Sequence, residues 1–312
     1  MDDHSSPGAA LLQIARAVQA TDYEFTTPTP ATYARVNARP GFEQAQTLRD
    51  VFGWSRPFQD EVVGSDILGQ MQAAGILTQA EDGKRSAIRL SSLNGLLFVH
   101  SAYPTTAADA VFFGPDTYRF ARAILAHLKQ ARPVGRAVDI GCGSGAGAIL
   151  VARAHPDAEV IAVDINASAL QLTEVNAVLA GVRISAVNSD LLSSVPGVFD
   201  LIVSNPPYLV DPDARAYRHG GGFLGAGLSL AILDGALDRL AAGGTLLLYT
   251  GAAIVNGADP FKAVATARLG GSGMTWTYEE LDPDVFGEEL EGGAYTSADR
   301  IAAVLLTITK RE

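Results

Sequence analysis

Cysteine is almost missing from this chain. Cys142 is the single one in 312 residues, so no internal disulfide framework is possible and a reducing cytoplasm is the expected setting. The five histidines (His4, His100, His127, His155, His219) are scattered without metal-ligand spacing, which argues against a metal site. No stretch approaches the roughly 20 apolar residues of a membrane span. The start, Met1 to Pro7, is acidic and polar and lacks the basic and apolar regions of a secretory signal. Positive charge is also scarce: 23 Lys and Arg against 34 Asp and Glu give a formal net charge of -11. A nucleic-acid binder ordinarily carries a basic stripe, so bulk RNA or duplex DNA is a poor fit as partner. No internal repeat of useful length is present. What remains, 48% hydrophobic and 18% charged residues, is the balance of a soluble globular chain long enough for one large domain or two.

Two zones differ in pattern. In residues 1–93, apolar spacing predicts a helix over Ala9–Ala20, a break at Thr26-Thr27-Pro28-Thr29-Pro30, and helices near Phe42–Phe52 and Ser65–Ala74. Glu81-Asp82-Gly83-Lys84 between two β-prone runs reads as a hairpin turn. Helices followed by a hairpin suggest a small winged-helix-like α+β domain. Its second helix (Asp66, Gln70, Gln72) carries no Lys or Arg, so substrate gripping or a structural role fits better than DNA binding. Residues 94–312 form the second expected domain. There, from Arg136 onward, strands at Ala137–Ile140, Val160–Val163, Ile184–Val187, Leu201–Ser204 and Thr245–Tyr249 alternate with helices, the pattern of an α/β, doubly wound sheet. Met274–Tyr278 and Arg300–Thr309, without a helix between them, predict an antiparallel terminal hairpin.

The stretch richest in chemistry is Phe199 to Tyr208. A buried strand stops at Asn205-Pro206-Pro207-Tyr208, because consecutive prolines remove two backbone donors and fix φ. The residue before each proline is pushed to extended geometry, which holds Asn205 in one orientation. A side-chain amide, an exposed carbonyl and an aromatic ring are thereby fixed at the carboxyl end of a strand, where open α/β sheets bind ligands. The Asn205 oxygen and the Pro206 carbonyl can accept the two hydrogens of a planar NH2 group while Tyr208 covers one face; Pro207 stiffens the turn beside it.

The other reactant has its own signature. Asp139-Ile140-Gly141-Cys142-Gly143-Ser144-Gly145 joins a strand to a helix start, and its glycines permit positive φ and close approach of a ligand to the main chain. By itself this turn suits NAD or S-adenosylmethionine. Asp139, ahead of the first glycine, would repel a pyrophosphate but attract a cationic amino-acid end. Asp164, followed by Ile165, closes the second strand, where a carboxylate accepts from ribose hydroxyls. Asp190, followed by Leu191, closes the third, placed for an adenine amino group. Cys142 reads as a small neutral filler of the turn.

Residues from about 95 to 312 therefore resemble the class I S-adenosylmethionine-dependent methyltransferases of the "small-domain" N-methyltransferase group. Asn205-Pro206-Pro207-Tyr208 is similar to the motif of enzymes that methylate glutamine amides or exocyclic amino groups of bases, and Phe113-Gly114-Pro115-Asp116-Thr117-Tyr118 is similar to a segment of release-factor glutamine methyltransferases. The resemblance implies a Rossmann-like seven-stranded sheet and a cytoplasmic enzyme. It implies Asn205, Pro206 and Tyr208 as catalytic residues, and Asp139, Gly141, Cys142, Gly143, Gly145, Asp164, Ile165, Asp190, Leu191 and Asn205 around the cofactor. Pro207, Tyr208, Phe113 and Arg218 would meet the substrate. S-adenosyl-L-methionine would be the donor and S-adenosyl-L-homocysteine the product. The expected acceptor is a protein glutamine, in a partner such as a translation factor. A base of structured RNA or DNA and a small molecule stand as alternatives, as do a catalytically silent cofactor binder and an NAD oxidoreductase.

Overall fold

A computed structural model describes residues 6–130, 132–215 and 217–312. His4 and the rest of the acidic start lie outside the described residues. The chain opens with α1 (Pro7–Gln19), capped by the Ser6 hydroxyl, and α2 (Pro30–Asn37), capped by Thr29. Then come α3 (Leu48–Phe52), α4 (Asp60–Ala73), the hairpin β1 (Leu77–Ala80) and β2 (Gly83–Ser86), and the hairpin β3 (Ile88–Leu93) and β4 (Leu96–Ser101). The second hairpin spans residues 93 and 94, the expected boundary between the two domains.

Strand–helix alternation follows: α5 (Pro115–Leu128), β5 (Arg136–Ile140), α6 (Ala146–Ala154), β6 (Glu159–Asp164), α7 (Ala167–Ala180), β7 (Ser185–Asn188) and β8 (Phe199–Ser204). Next are α8 (Gly227–Leu237), β9 (Leu240–Ile254), α9 (Pro260–Leu269), β10 (Thr275–Asp282) and β11 (Arg300–Thr309). The strands from β5 onward make one seven-stranded sheet in the order β10-β11-β9-β8-β5-β6-β7. β5 to β9 pair in parallel, and β11 runs antiparallel between β9 and β10. This is the Rossmann-like sheet with an antiparallel terminal hairpin that the sequence pattern implies. The chain crosses from one half of the sheet to the other between β5 and β8, so a crevice opens beyond their carboxyl ends.

Alternation along the strands sorts the core into two layers. Ala137, Leu201, Val203, Leu247 and Tyr249 face α5 and α6, which contribute Phe120, Ile124 and Ile149. Val138, Ile140, Ile202, Leu246 and Leu248 face α8 and α9, which contribute Leu233 and Phe261. A third cluster joins α1 (Leu11, Ile14, Val18) to β4 (Leu97, Val99) and to the outer face of α7 (Leu172, Val175). No helix among the described residues is long and apolar enough to cross a membrane.

Candidate active site

At the end of β5 the chain turns through Gly141, Gly143 and Gly145, all with positive φ, and enters α6 at Ala146. Gly141 and Cys142 donate their amide hydrogens to the Val163 carbonyl, which pins the turn to β6. Asp139 is buried beneath it. Its Oδ2 accepts from the Ala148 amide at 2.9 Å. A Cβ on Gly147 would stand 2.6 Å from that oxygen, so only glycine lets the first turn of α6 come this close. Burial pushes the Asp139 carboxyl up to about 7 against the pull of the Ala148 amide, and the nearby Asp164 charge adds to the rise.

Asp164, at the end of β6, accepts from the Gly143 amide at 3.0 Å and from the Asn166 amide at 2.9 Å. Burial raises its pKa, against the pull of those amides. Burial pushes the Cys142 thiol well up, and the neighbouring carboxylates add to the shift, so the sulfur stays protonated beside Thr173. Asp190 and Leu191 follow β7, Leu191 in a left-handed conformation. Ile165 is 62% exposed at the rim.

The second half of the site comes from β8. Ser204 donates its hydroxyl to the Ile140 carbonyl at 2.7 Å and so locks the ends of β8 and β5 together. Asn205 and Pro206 follow directly. Neither the Asn205 side chain nor the Pro206 carbonyl has a hydrogen-bond partner among the described residues. Tyr208 is buried. Its ring lies on the backbone of β9, where a Cβ on Gly251 would meet ring carbons at 2.2 and 2.3 Å. The Phe286 ring stands edge-on to it, with centroids 5.8 Å apart. The loop after Tyr208 is pinned at several points. Tyr217 donates to the Thr105 carbonyl at 2.6 Å, Arg218 pairs with Glu289, and His219 Nδ1 accepts the Asp211 amide at 3.2 Å. Arg215 holds the Asp211 carboxyl down at about 2.

One cavity is lined by parts of all these segments: Asp139 and Asp164, Asp190 and Leu191, Asn205 and Tyr208. Gly141, Cys142, Gly143, Ile165, Pro206, Pro207 and Arg218 border it as well. Of the residues singled out from the sequence, two stand elsewhere. Gly145 lies behind the turn, packed against Thr173. Phe113 is fully buried, stacked on His100 with centroids 4.7 Å apart, and it is Phe112 that reaches the cavity. Sequence reasoning passed over Phe286 and Tyr249. It quoted Asp116 only as part of a segment, although Asp116 borders the cavity and accepts hydrogen bonds from two tyrosines.

A family model described as methyltransferase small domain matches residues 106–253. The chain is 36% identical over 209 residues to the release factor glutamine methyltransferase of Bordetella pertussis, covering 65% of this chain and 76% of that protein. It is 37% identical over 131 residues to the ribosomal protein uL3 glutamine methyltransferase of Neisseria gonorrhoeae, covering 38% of this chain and 44% of that protein. A solved tRNA methyltransferase of M. jannaschii superposes with a TM-score of 0.50 at 18% identity, over 74% of this chain and 59% of the other, a likeness of fold alone.

Proposed function

The chain belongs to the methyltransferase small domain family of class I S-adenosylmethionine-dependent methyltransferases, and from that premise we propose that it methylates the side-chain amide of a glutamine in a protein of the translation apparatus. The observation that carries this reading is Asn205. Its amide lines the same cavity as Asp139 and Asp164 yet has no partner among the described residues, in a turn that two prolines hold rigid. A few polar groups left open on the wall of an otherwise apolar cavity are what orient a ligand. Two relatives are named as glutamine methyltransferases of translation proteins, and a net charge of -11 disfavours a nucleic-acid acceptor.

The residues fit the donor of this family. S-adenosylmethionine supplies an electrophilic methyl on a sulfonium centre and carries an ammonium, a ribose diol and an adenine. Asp139 is a desolvated carboxyl whose charge an ammonium would stabilise. Asp164 would take the ribose hydroxyls. Asp190, with Ile165 and Leu191, would take the adenine edge and face. Gly141, Cys142 and Gly143 bring bare main chain to the same wall, and Gly145 shapes the turn.

At the acceptor, an amide nitrogen is a poor nucleophile because its lone pair is delocalised into the carbonyl. Asn205 Oδ1 and the Pro206 carbonyl would accept its two hydrogens, localise that lone pair and stabilise the positive charge growing on nitrogen, a preorganised electrostatic effect. Tyr208 and Pro207 would wall the planar group, with Arg218 at the mouth. A nitrogen–carbon bond would form as the methyl's carbon–sulfur bond breaks with its electron pair left on sulfur, and the acceptor nitrogen would pass its proton to solvent. Residues 1–93 would brace this site from behind α7 within a cytoplasmic enzyme.

The test is incubation with tritium-labelled S-adenosylmethionine and a purified bacterial release factor, followed by mass spectrometry of the labelled peptide. Label on a glutamine amide is the expected result, and label confined to RNA or small molecules overturns the reading. Replacing Asn205 by Ala should leave cofactor affinity near normal and lower turnover about 10²-fold, as loss of a preorganised dipole does elsewhere.

A further inference from the structure

Asp116 is the one acid of α5, 3% exposed and 92 residues before the tyrosine it bonds. Its Oδ2 accepts the Tyr208 hydroxyl at 2.8 Å, and its Oδ1 accepts the Tyr249 hydroxyl at 2.6 Å. Arg119, one turn along the helix, donates to Oδ1 at 3.1 Å and with its other nitrogen to Asp282 at 2.6 Å. A carboxylate presents acceptors on both oxygens, which is what two converging phenol donors require. Charge-assisted hydrogen bonds of this kind are short and geometrically demanding. Arg119 offsets the charge that would otherwise stand alone in an apolar layer.

Tyr208 is thereby held at both ends. Its backbone follows two prolines, and its hydroxyl is anchored to α5. A hydroxyl bond fixes the long axis of the ring, because the oxygen lies on that axis. The plane is fixed separately, by Gly251 beneath the ring and Phe286 at its edge. With the hydroxyl donated to buried Asp116, what Tyr208 offers the cavity in this reading is a ring surface.

We propose that Asp116 is a positioning residue of the methyl-acceptor site, anchoring the Tyr208 ring as the rigid wall against which the acceptor's planar amide is aligned. This rests on the reading of Asn205 and Tyr208 as the acceptor site. Alignment is where a small displacement is costly, since a shift of about 1 Å in a reacting group lowers rate on the order of 10²-fold. Among the described residues no hydrogen bond joins the clamp to Asp139 or Asp164, so donor binding should be indifferent to it.

The test uses Asp116→Ala, Tyr208→Phe and the double variant, with Asp116→Asn standing in should the alanine variant not fold. Tyr208→Phe keeps the ring and deletes only the anchored hydroxyl. Initial rates are measured with tritium-labelled S-adenosylmethionine and a bacterial release factor or, where that takes no label, the protein fraction of a bacterial extract. Binding of S-adenosylhomocysteine is measured by calorimetry. Each single variant should lower kcat about tenfold or more, with the calorimetric Kd unchanged, and the double variant should be no worse than the weaker single. Full kcat in Tyr208→Phe, a loss shared equally by cofactor affinity, or multiplicative losses in the double variant each overturn the proposal. Asn205→Ala, run alongside, separates the two readings. If it is inactive while Tyr208→Phe is fully active, only the clamp falls. If it is fully active, or neither acceptor source takes label, the acceptor-site reading falls and the clamp with it.

Discussion

Asp139 carries an electrostatic load that the bare protein does not relieve. It is buried, its backbone partner is a single amide, and Asp164 stands nearby, so its carboxyl titrates near 7 rather than near 3.8. An acid whose pKa is higher in the folded than in the unfolded chain contributes stability that is complete below the unfolded value and is lost as pH rises through the folded one. Here the window runs from about pH 4 to about pH 7. A shift of this size corresponds to on the order of 4 kcal/mol, which a cationic ligand would recover by stabilising the charged form. Binding of S-adenosylhomocysteine, which carries the same ammonium, should therefore release a proton at pH 6 and tighten about tenfold toward pH 7 before levelling off. Calorimetry in two buffers of different ionisation enthalpy reads both effects. An affinity independent of pH, or one equally steep in Asp139→Asn, would show that the ammonium does not meet this carboxyl. Asp139 and Asn205 were legible in the sequence because glycines and prolines mark their surroundings. Asp116 and Tyr249 were not, because their partnership spans 133 residues and no local pattern encodes it. Phe112 and Phe113 sit in an irregular segment, where no period tells which of two neighbours faces in.

At the scale of elements, strand ends were read to within a residue or two wherever an apolar run met a glycine or an acid, as at β5, β6 and β8. β9 runs to Ile254, well past the expected Tyr249, because β11 pairs with it along its whole second half and so satisfies its backbone there. α2 was missed: Thr29-Pro30 reads as a break, yet a threonine cap followed by proline at the first helical position is also how helices begin. The helix expected over Phe42–Phe52 is only Leu48–Phe52, started by a reciprocal cap between Thr47 and Asp50. Gly64, at φ 76° within α4, explains why the sequence placed a start at Ser65. Nothing in the sequence of β9 announces that Gly251 carries the Tyr208 ring. A methyl group there would overlap ring carbons, and overpacking of this kind costs about 1–3 kcal/mol. Gly251→Ala should lower stability by that amount in urea unfolding. Adding Tyr208→Ala should relieve much of the loss, since the deleted ring vacates the same space; strictly additive effects would mean that ring and strand are not in contact.

Across the whole molecule, the pattern of elements changes near residue 93, and one apolar cluster runs across that boundary to α7. α7 is apolar on two sides, presenting Ala177 to the layer above the sheet and Ala169, Leu172 and Val175 to α1 and β4. A helix with so wide an apolar face needs cover on both, and α1 supplies the outer one. The hairpin of β3 and β4, which straddles residues 93 and 94, is tied to the glycine turn by hydrogen bonds. Asn176, buried in α7, accepts the Val99 amide at 2.7 Å and donates to the Val99 and Ser144 carbonyls at 2.9 Å each. Ser144 belongs to the glycine turn, so this one side chain connects the N-terminal hairpin to the loop proposed to hold the cofactor. An isosteric leucine in place of Asn176 would leave three backbone groups buried without partners, at about 1–3 kcal/mol for each group that water cannot reach. Asn176→Leu should therefore destabilise the chain strongly and weaken S-adenosylhomocysteine binding, while hydrogen exchange rises together in α1, β4 and the turn at Ser144. Faster exchange confined to α7 would show instead that the N-terminal residues and the cofactor turn open independently.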